Sequence, residues 1–436
     1  LKPWLKTLNE FEVLKSWSAE QWCDLLKKYY VDNKCAVMLS KPSAKCYKQL
    51  KDENKKLLKD RKLKLGKEGL EELKKKLKNA QDKNDAPIPN EILNKFKQPD
   101  PSKIKFIETK SFAVGLNKDV QNDENDEIYK YISKDIPSDF PIYLHFENIE
   151  SQFVTVHILL STLKMDPKLF KYIDIFVDLF SMPIKLEDGT ELKFEEVVTE
   201  LKRDTITTKA STSFASHFDE IVDFKIVVKR ENYTKCIEWF YRLFFLTVFD
   251  EKRVKILVEK LVKDLPDSKR SGSTMLSSVV CINTLEDKSL CKAVDCLTTE
   301  PQWKEVLENL KNGDFTKIKE ELELARSQLF KMNNMRIFVI GDIAKIENPV
   351  SRWTRFLDQK QDSHELTPIS YSKDVLSKAG KSQSKSAFLI TAPGSQSTYL
   401  KAITKIPFDY SHEDNAKIFL ACEYLQCVEG PFWRGI

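Results

Sequence analysis

The chain has 436 residues, 41% hydrophobic and 31% charged, with only 11 glycines. That balance excludes collagenous, disordered and disulfide-stapled classes and points to a helix-rich protein of about two to four domains. The formal net charge of +5 is unevenly placed: residues 41–83 hold sixteen Lys or Arg against seven Asp or Glu, leaving the rest of the chain at −4.

Leu1 is not an initiator Met, and Trp4, Leu5 and Phe11 precede any polar leader, so the chain reads as an internal piece of a longer protein. Ser18-Ala19-Glu20-Gln21 has the form of a capping box opening a helix through Trp22, Leu25, Leu26 and Tyr29. Cys35 to Leu39 reads as a strand, and residues 1–40 as the end of a domain begun upstream. In the basic segment Leu50, Leu57, Leu58, Leu70, Leu73 and Leu77 follow helical spacing, interrupted at Leu65-Gly66-Lys67, which predicts a helical hairpin with a narrow apolar stripe. A nucleic-acid surface would interleave aromatic with basic residues, and Tyr47 is the sole aromatic there. The segment is therefore read as a solvated linker over 41–103, closed by turn clusters at 84–89 and 98–101 around a short helix at Ile92 to Phe96.

A large domain follows over 104–358. Ile142 to Phe146, Phe153 to Leu160, Phe224 to Val228 and Met335 to Ile340 are rich in β-branched and aromatic residues and read as strands. Asp166-Pro167 supplies a cap and a first-turn proline for a helix carrying Leu169, Tyr172, Ile173, Phe176, Val177 and Phe180. Glu191 to Thr205, Thr234 to Phe249 and Phe315 to Lys331 are further helices. Strands and helices in this order predict an α+β sandwich with helices over a mostly antiparallel sheet. Residues 359–386 are Ser-, Lys- and Gln-rich and read as a linker; Gly380-Lys381-Ser382 within it lacks the preceding glycine of a phosphate loop. Residues 387–436 restart the pattern, with strands at Ala387 to Thr391 and Tyr399 to Ile406 and a helix from Glu413 to Cys427. Leu169, Tyr172, Ile173, Val177 and Phe180 match Ala416, Phe419, Leu420, Tyr424 and Cys427 at a constant offset of 247, which suggests a repeated unit. Glu429 to Ile436 reads as the entry to a further element.

Nine cysteines, an odd number, suit reduced intracellular thiols. Cys291/Cys296 and Cys422/Cys427 sit at the outer edge of zinc-ligand spacing, with no companion His or Cys pair. The five histidines, His145, His157, His217, His364 and His412, are scattered, and none pairs with another on a helix face. His145 and His157 read as packed or rim residues, and Glu147 and Glu150 as surface charge. No nucleophile elbow or dinucleotide fingerprint occurs, so residue patterns assign no catalytic or metal-binding residue and leave substrate-binding residues unknown. The longest aromatic-apolar run, Trp239 to Phe249, is broken by Arg242 and is far shorter than the ~20 residues of a membrane span.

The order of Leu65-Gly66-Lys67-Glu68-Gly69-Leu70, Pro87-Ile88-Pro89, Phe338-Val339-Ile340-Gly341-Asp342 and Gly430-Pro431-Phe432-Trp433-Arg434-Gly435-Ile436 resembles the pitrilysin and insulin-degrading-enzyme family of inverted-zincin metallopeptidases, most of all its presequence-protease branch. The resemblance implies a clamshell of homologous α+β domains, two per half, joined by a helical hairpin around a closed chamber. Residues 1–40 would end the second domain, 41–103 form the hinge, 104–358 the third domain and 387–436 the start of the fourth. The family's His-x-x-Glu-His helix and further Glu ligand belong to the first domain, so Zn2+ would be bound outside this chain, which by itself would be inactive. A catalytic Arg of the fourth domain would fall just after Ile436, so Arg434 is not given that role. The implied activity is zinc-assisted hydrolysis of unfolded peptides, with this chain as chamber wall and hinge. Its partners would be those peptides and the N-terminal half, with no nucleic acid and no membrane, in the cytoplasm or alternatively the mitochondrial matrix. Two alternatives stand beside it: a catalytically inactive family member serving as a structural or processing-complex subunit, and a basic helical module binding nucleic acid.

Overall fold

The computed structural model describes residues 7–97, 100–215, 218–358, 365–382, 387–391, 397–403, 411–428 and 430–435. The chain divides into two compact units, Leu1–Ile104 and Lys105–Ile436. In the first, the expected capping box forms: Gln21 N donates to Ser18 Oγ at 3.3 Å and Ser18 N to Gln21 Oε1 at 2.8 Å, opening the Ala19–Leu26 helix. A helical stretch then runs over Ala44–Asn84 and is broken at Gly66, whose φ of 62° and ψ of −172° leave the helical region. Only glycine adopts that conformation without strain, and so the stop and restart fall there. The stripe leucines, Leu50 to Leu77, are 42–63% exposed. The strand expected at Cys35–Leu39 is absent: Val37, Met38 and Leu39 are 77–94% exposed and join no ladder. An apolar run becomes a strand only where a neighbour takes its backbone bonds.

The second unit is built on a six-stranded sheet. Its strands are β1 (Lys110–Gly115), β2 (Tyr143–Asn148), β3 (Phe153–Ser161), β6 (Thr207–Ser211), β7 (Ile221–Lys229) and β8 (Met335–Gly341), while β4 (Ile184–Lys185) and β5 (Glu191–Leu192) form a separate small ladder. The spatial order is β1-β2-β8-β3-β7-β6. All neighbours are antiparallel except β2 and β8, so the expected α+β class with a mostly antiparallel sheet is what the chain adopts. β2 and β3 are separated by four residues yet do not pair, because β8 lies between them.

Period-two patterning divides the sheet into two faces. Val154, Val156, Ile158 and Leu160 of β3, Val222, Phe224, Ile226 and Val228 of β7, and Ile337 and Val339 of β8 are all fully buried on one face. Helices seal that face. Phe224 stands edge-on to Phe244 at 5.0 Å, and Phe244 stacks on Phe330 at 4.3 Å. The helices whose buried residues join this core include Phe194–Asp204, Tyr233–Tyr241, Glu251–Arg270, Cys296–Lys311 and Phe315–Leu329. Asp166 caps its segment as expected, accepting from Lys168 N, but the segment opens as a 3-10 turn over Pro167–Tyr172 and becomes α-helical at Ile173–Val177. Glu191 belongs to β5, and the helix after it begins at Phe194.

The expected linker contains a docked strap. Thr367 N donates to Asn333 O, Arg336 Nη2 to Thr367 O, Ser161 Oγ to Pro368 O and Ser377 N to Thr284 O. Beyond it, Ala387–Thr391 and the described part of the expected strand from Tyr399, residues 399–403, form no ladder; residues 404–406 lie outside the described residues. Tyr399 instead lies over Gly272, where a Cβ would come within 2.2 Å of its ring. The Asp414–Gln426 helix exposes Phe419, Leu420 and Tyr424 by 57–72%, whereas their offset partners Tyr172 and Ile173 are buried. The offset suggested by the sequence is thus not matched by equal burial at these positions. Residues 431–435 form a short helix.

Two measurements follow from this packing. Phe224→Ala should cost about 3–5 kcal/mol by denaturant unfolding, whereas Leu420→Ala should stay within about 0.5 kcal/mol; equal costs would show that the Asp414–Gln426 helix is packed after all. Burial, reinforced by Asp178, pushes Asp174 up to about 7. Above an unfolded value of roughly 3.9, ionisation then favours the unfolded chain until the folded group also ionises, so native stability falls as pH rises from ~4 to ~7. Asp174→Asn should remove that loss, with an advantage that grows between pH 5 and pH 8 to the order of 1–4 kcal/mol. An advantage independent of pH would mean that Asp174 is ionised in the fold.

Candidate functional site

The other face of the sheet carries the chemistry. Its residues alternate with the core positions, and the register aligns Ala113, His145, Phe338, His157, Lys225 and Lys209 in one row across all six strands. Flanking it, one row runs through Tyr143, Arg336, Leu159, Asp223 and Ser211, and the other through Ser111, Glu147, Ile340, Thr155, Val227 and Thr207. Thr155, Lys225, Val227, Phe338 and Ile340 keep part of their surface in solvent, and Lys209 and Thr207 are exposed at the β6 edge. The face is therefore part-open where its opposite is sealed.

Each histidine here has a carboxylate. His145 Nε2 lies 2.8 Å from Glu147 Oε1, and Asn117 Nδ2 is 3.4 Å from Nδ1 of the same ring. His157 Nδ1 lies 2.9 Å from Asp223 Oδ1, and its ring meets Phe214 edge-on at 5.3 Å. Both imidazoles are only 12% exposed. Burial works against the charge on Glu147, but hydrogen bonds from Ser111 and His145 outweigh it and hold the carboxyl below its usual range. Tyr143 donates to Asp119 at 2.7 Å, and burial followed by that bond pushes its hydroxyl well up. The Arg336 guanidinium lies 5.9 Å from the Tyr143 ring centre; burial draws it down from the usual arginine range, and its Nη1 has no hydrogen-bond partner among the described residues.

His145 and His157 are packed as expected, at 12% exposed, whereas Glu147, read as surface charge, is part-buried against His145. The two imidazoles share one row, and their carboxylates lie in the rows on either side of it. His145 and His157 are nonetheless two strand spacings apart, roughly 9–10 Å, with Phe338 between them, too far to share a zinc ion bound at ~2.1 Å. His217 and His364 lie outside the described residues. His412, at the start of the Asp414–Gln426 helix, accepts from Asp414 N at 3.2 Å. Among the described residues no group of three or more His, Cys, Asp or Glu is placed to hold a metal ion. Among the described residues no helix is long and apolar enough to cross a membrane. A separate cleft of about 540 Å³ is lined by Phe153, Lys229, Arg230, Tyr233 and Lys345, but Asp342 engages Arg230 at 3.7 Å and Lys345 at 2.7 Å.

Tyr143, Asp223, Lys225 and Arg336 carry no motif in the sequence and were not among its candidate residues. The signal was strand parity: in β2, β3, β7 and β8 the polar residues fall on alternate positions of otherwise apolar runs, which marks one face as functional or solvated.

No family model matches the chain. It is 37% identical over 448 residues to an uncharacterized protein of Saccharomyces cerevisiae, 29% over 446 residues to one of Schizosaccharomyces pombe and 23% over 441 residues to one of Caenorhabditis elegans. These alignments take in 99% of this chain but 43%, 42% and 42% of the relatives, so the chain spans about two fifths of their length. Among solved structures, a protease from Helicobacter pylori superposes with a TM-score of 0.40 at 14% identity, covering 62% of this chain and 55% of that one.

The His157–Asp223 pair can be tested alone. Asp223 is 5% exposed, so His157→Ala leaves a buried carboxylate short of a partner and should cost about 1–3 kcal/mol. A double-mutant cycle with Asp223→Ala should return a coupling of about 0.5–3 kcal/mol, and additive single costs would show that the contact contributes nothing.

Proposed function

We propose that this chain forms part of the wall of a peptide-binding chamber in a zinc metalloendopeptidase that degrades unfolded peptides, and that its 41–103 segment serves as the hinge. The observation that carries the reading is the two-faced sheet, with one face sealed by helices and the other part-open and lined by His145, Phe338, His157, Lys225 and Lys209. A broad surface mixing aromatic rings with donors suits an extended chain bound with little sequence preference, because any peptide offers carbonyl groups and apolar side chains. Two of the motifs that carry the family resemblance coincide with the structural pivots: Phe338 to Gly341 lie in β8, and Gly66 is the break in the long helix. Zinc and the catalytic groups would be supplied by another part of a longer polypeptide. This chain's contribution would be binding and orientation.

The test uses the full-length protein. Unfolded peptides should be cleaved, folded proteins of similar sequence should not, and a chelator should abolish the activity. Lys225→Ala combined with Lys209→Ala should raise KM several-fold with kcat nearly unchanged, the signature of lost substrate binding common to ground and transition states. The 436-residue chain alone is expected to cleave nothing. Full-length protein that binds these peptides without cutting them would support the catalytically inactive alternative, while failure to bind peptides at all would overturn the chamber-wall reading.

A further inference from the structure

Away from the sheet face, two thiols meet. Cys281, in the last turn of the Gly272–Thr284 helix, and Cys291, in the Leu290–Ala293 helix, have Sγ atoms 3.4 Å apart, and neither is bonded to another sulfur. The zinc-like spacing of Cys291 and Cys296 is not the pairing that forms, since Cys296 Sγ faces Ser278 Oγ at 3.5 Å. What brings Cys281 and Cys291 together is the turn between their helices. Ser289 caps the second helix by accepting from Lys292 N, and the buried Glu220 accepts from both Ser289 Oγ and Leu290 N at 2.6 Å. Lys292 Nζ reaches back to Leu285 O at 3.1 Å. The same turn holds the strap of residues 365–381: Glu286 N donates to Val375 O and Ser377 N to Thr284 O, each at 2.8 Å.

We propose that Cys281 and Cys291 are a redox modification site, closing to a reversible disulfide under peroxide or a disulfide oxidant and so fastening the turn that holds residues 372–377. A disulfide needs about 2.05 Å between sulfurs, a closure of the order of 1.4 Å from the observed 3.4 Å. The two thiols share one S–H···S contact in which either sulfur can be the donor. The sulfur that ionises is the attacking one. Its thiolate attacks one peroxide oxygen, the O–O bond breaks, and the departing hydroxide takes a proton to leave as water. The second sulfur then attacks the resulting sulfenic acid at sulfur, and the hydroxide released accepts the proton of that second thiol. Two thiols are oxidised and one peroxide is reduced to two waters. With glutathione disulfide the same two attacks release two glutathione thiols.

The inference is independent of the peptidase reading, and its test needs no activity assay. Protein treated with graded hydrogen peroxide, alkylated and digested should yield a peptide linked through Cys281 and Cys291, lost on adding dithiothreitol. It should appear in the wild type and in Cys296→Ser. Oxidation should raise Tm by about 3–8 °C in both, and slow amide exchange at Leu376 and Ser377; Cys281→Ser and Cys291→Ser should show neither effect. Should either of those variants fail to fold, the wild-type and Cys296→Ser maps decide. Recovery of Cys291 linked to Cys296, or of Cys281 stopped at a sulfinic acid beside an alkylatable Cys291, or links confined to the exposed Cys23, Cys35, Cys46, Cys422 and Cys427, would overturn the proposal.

Discussion

Everything in the second unit depends on β8 entering the slot between β2 and β3. Those two strands are joined by only four residues, yet they are held two strand spacings apart and are completed by a segment some 180 residues later in the chain. β8 pairs parallel to one neighbour and antiparallel to the other, so both ladders must accept the same register. A slip of one residue would turn Ile337 and Val339 out of the core and Arg336 and Phe338 into it. Inserting the guanidinium into that apolar layer would cost several kcal/mol, which is a strong selection for one register. Because the contacts that define the sheet are long-range, their loop-closure entropy must be met before the core rewards it, and the helices between Phe194 and Leu329 supply the burial that offsets it.

The same register produces the candidate site. Once core parity is fixed, His145, Phe338 and His157 can only lie in one row, and their carboxylates follow two residues along β2 and one strand over on β7. Glu147 and Asp223 are thereby set to accept from imidazoles that would otherwise be poorly partnered in a half-buried layer. Phe338 keeps the two pairs apart, so each is satisfied separately and they do not merge into a metal-binding cluster.

Legibility in the sequence followed the same physics. The four strands read from β-branched and aromatic runs are the central ones, because burial on one face forces that composition. The edge strands β1 and β6 escaped: Lys110-Ser111-Phe112-Ala113-Val114-Gly115 is short, and Thr207 to Ser211 is polar at nearly every position. The Glu251–Arg270 and Cys296–Lys311 helices also went unread, since each carries an internal proline, Pro266 and Pro301, that normally ends a helix. The reverse errors at Cys35–Leu39 and Ala387–Thr391 arose where apolar composition was present and a pairing partner was not. Within the site, single residues were judged by type, so a lone His or Glu defaulted to packing or solvent; the pairings His145 with Glu147 and His157 with Asp223 exist only at the level of register.

The strap over residues 365–381 connects these parts. At one end Thr367 takes a bond from Arg336 on the sheet face and Pro368 one from Ser161 at the end of β3. At the other, Val375 and Ser377 bond to the turn between Cys281 and Cys291. Its backbone is held by hydrogen bonds each of about 1 kcal/mol net, with Val375 buried and Leu366, Ile369 and Leu376 part-buried. The turn between Cys281 and Cys291 and the Arg336 side of the sheet face are thus joined by one segment docked at both ends.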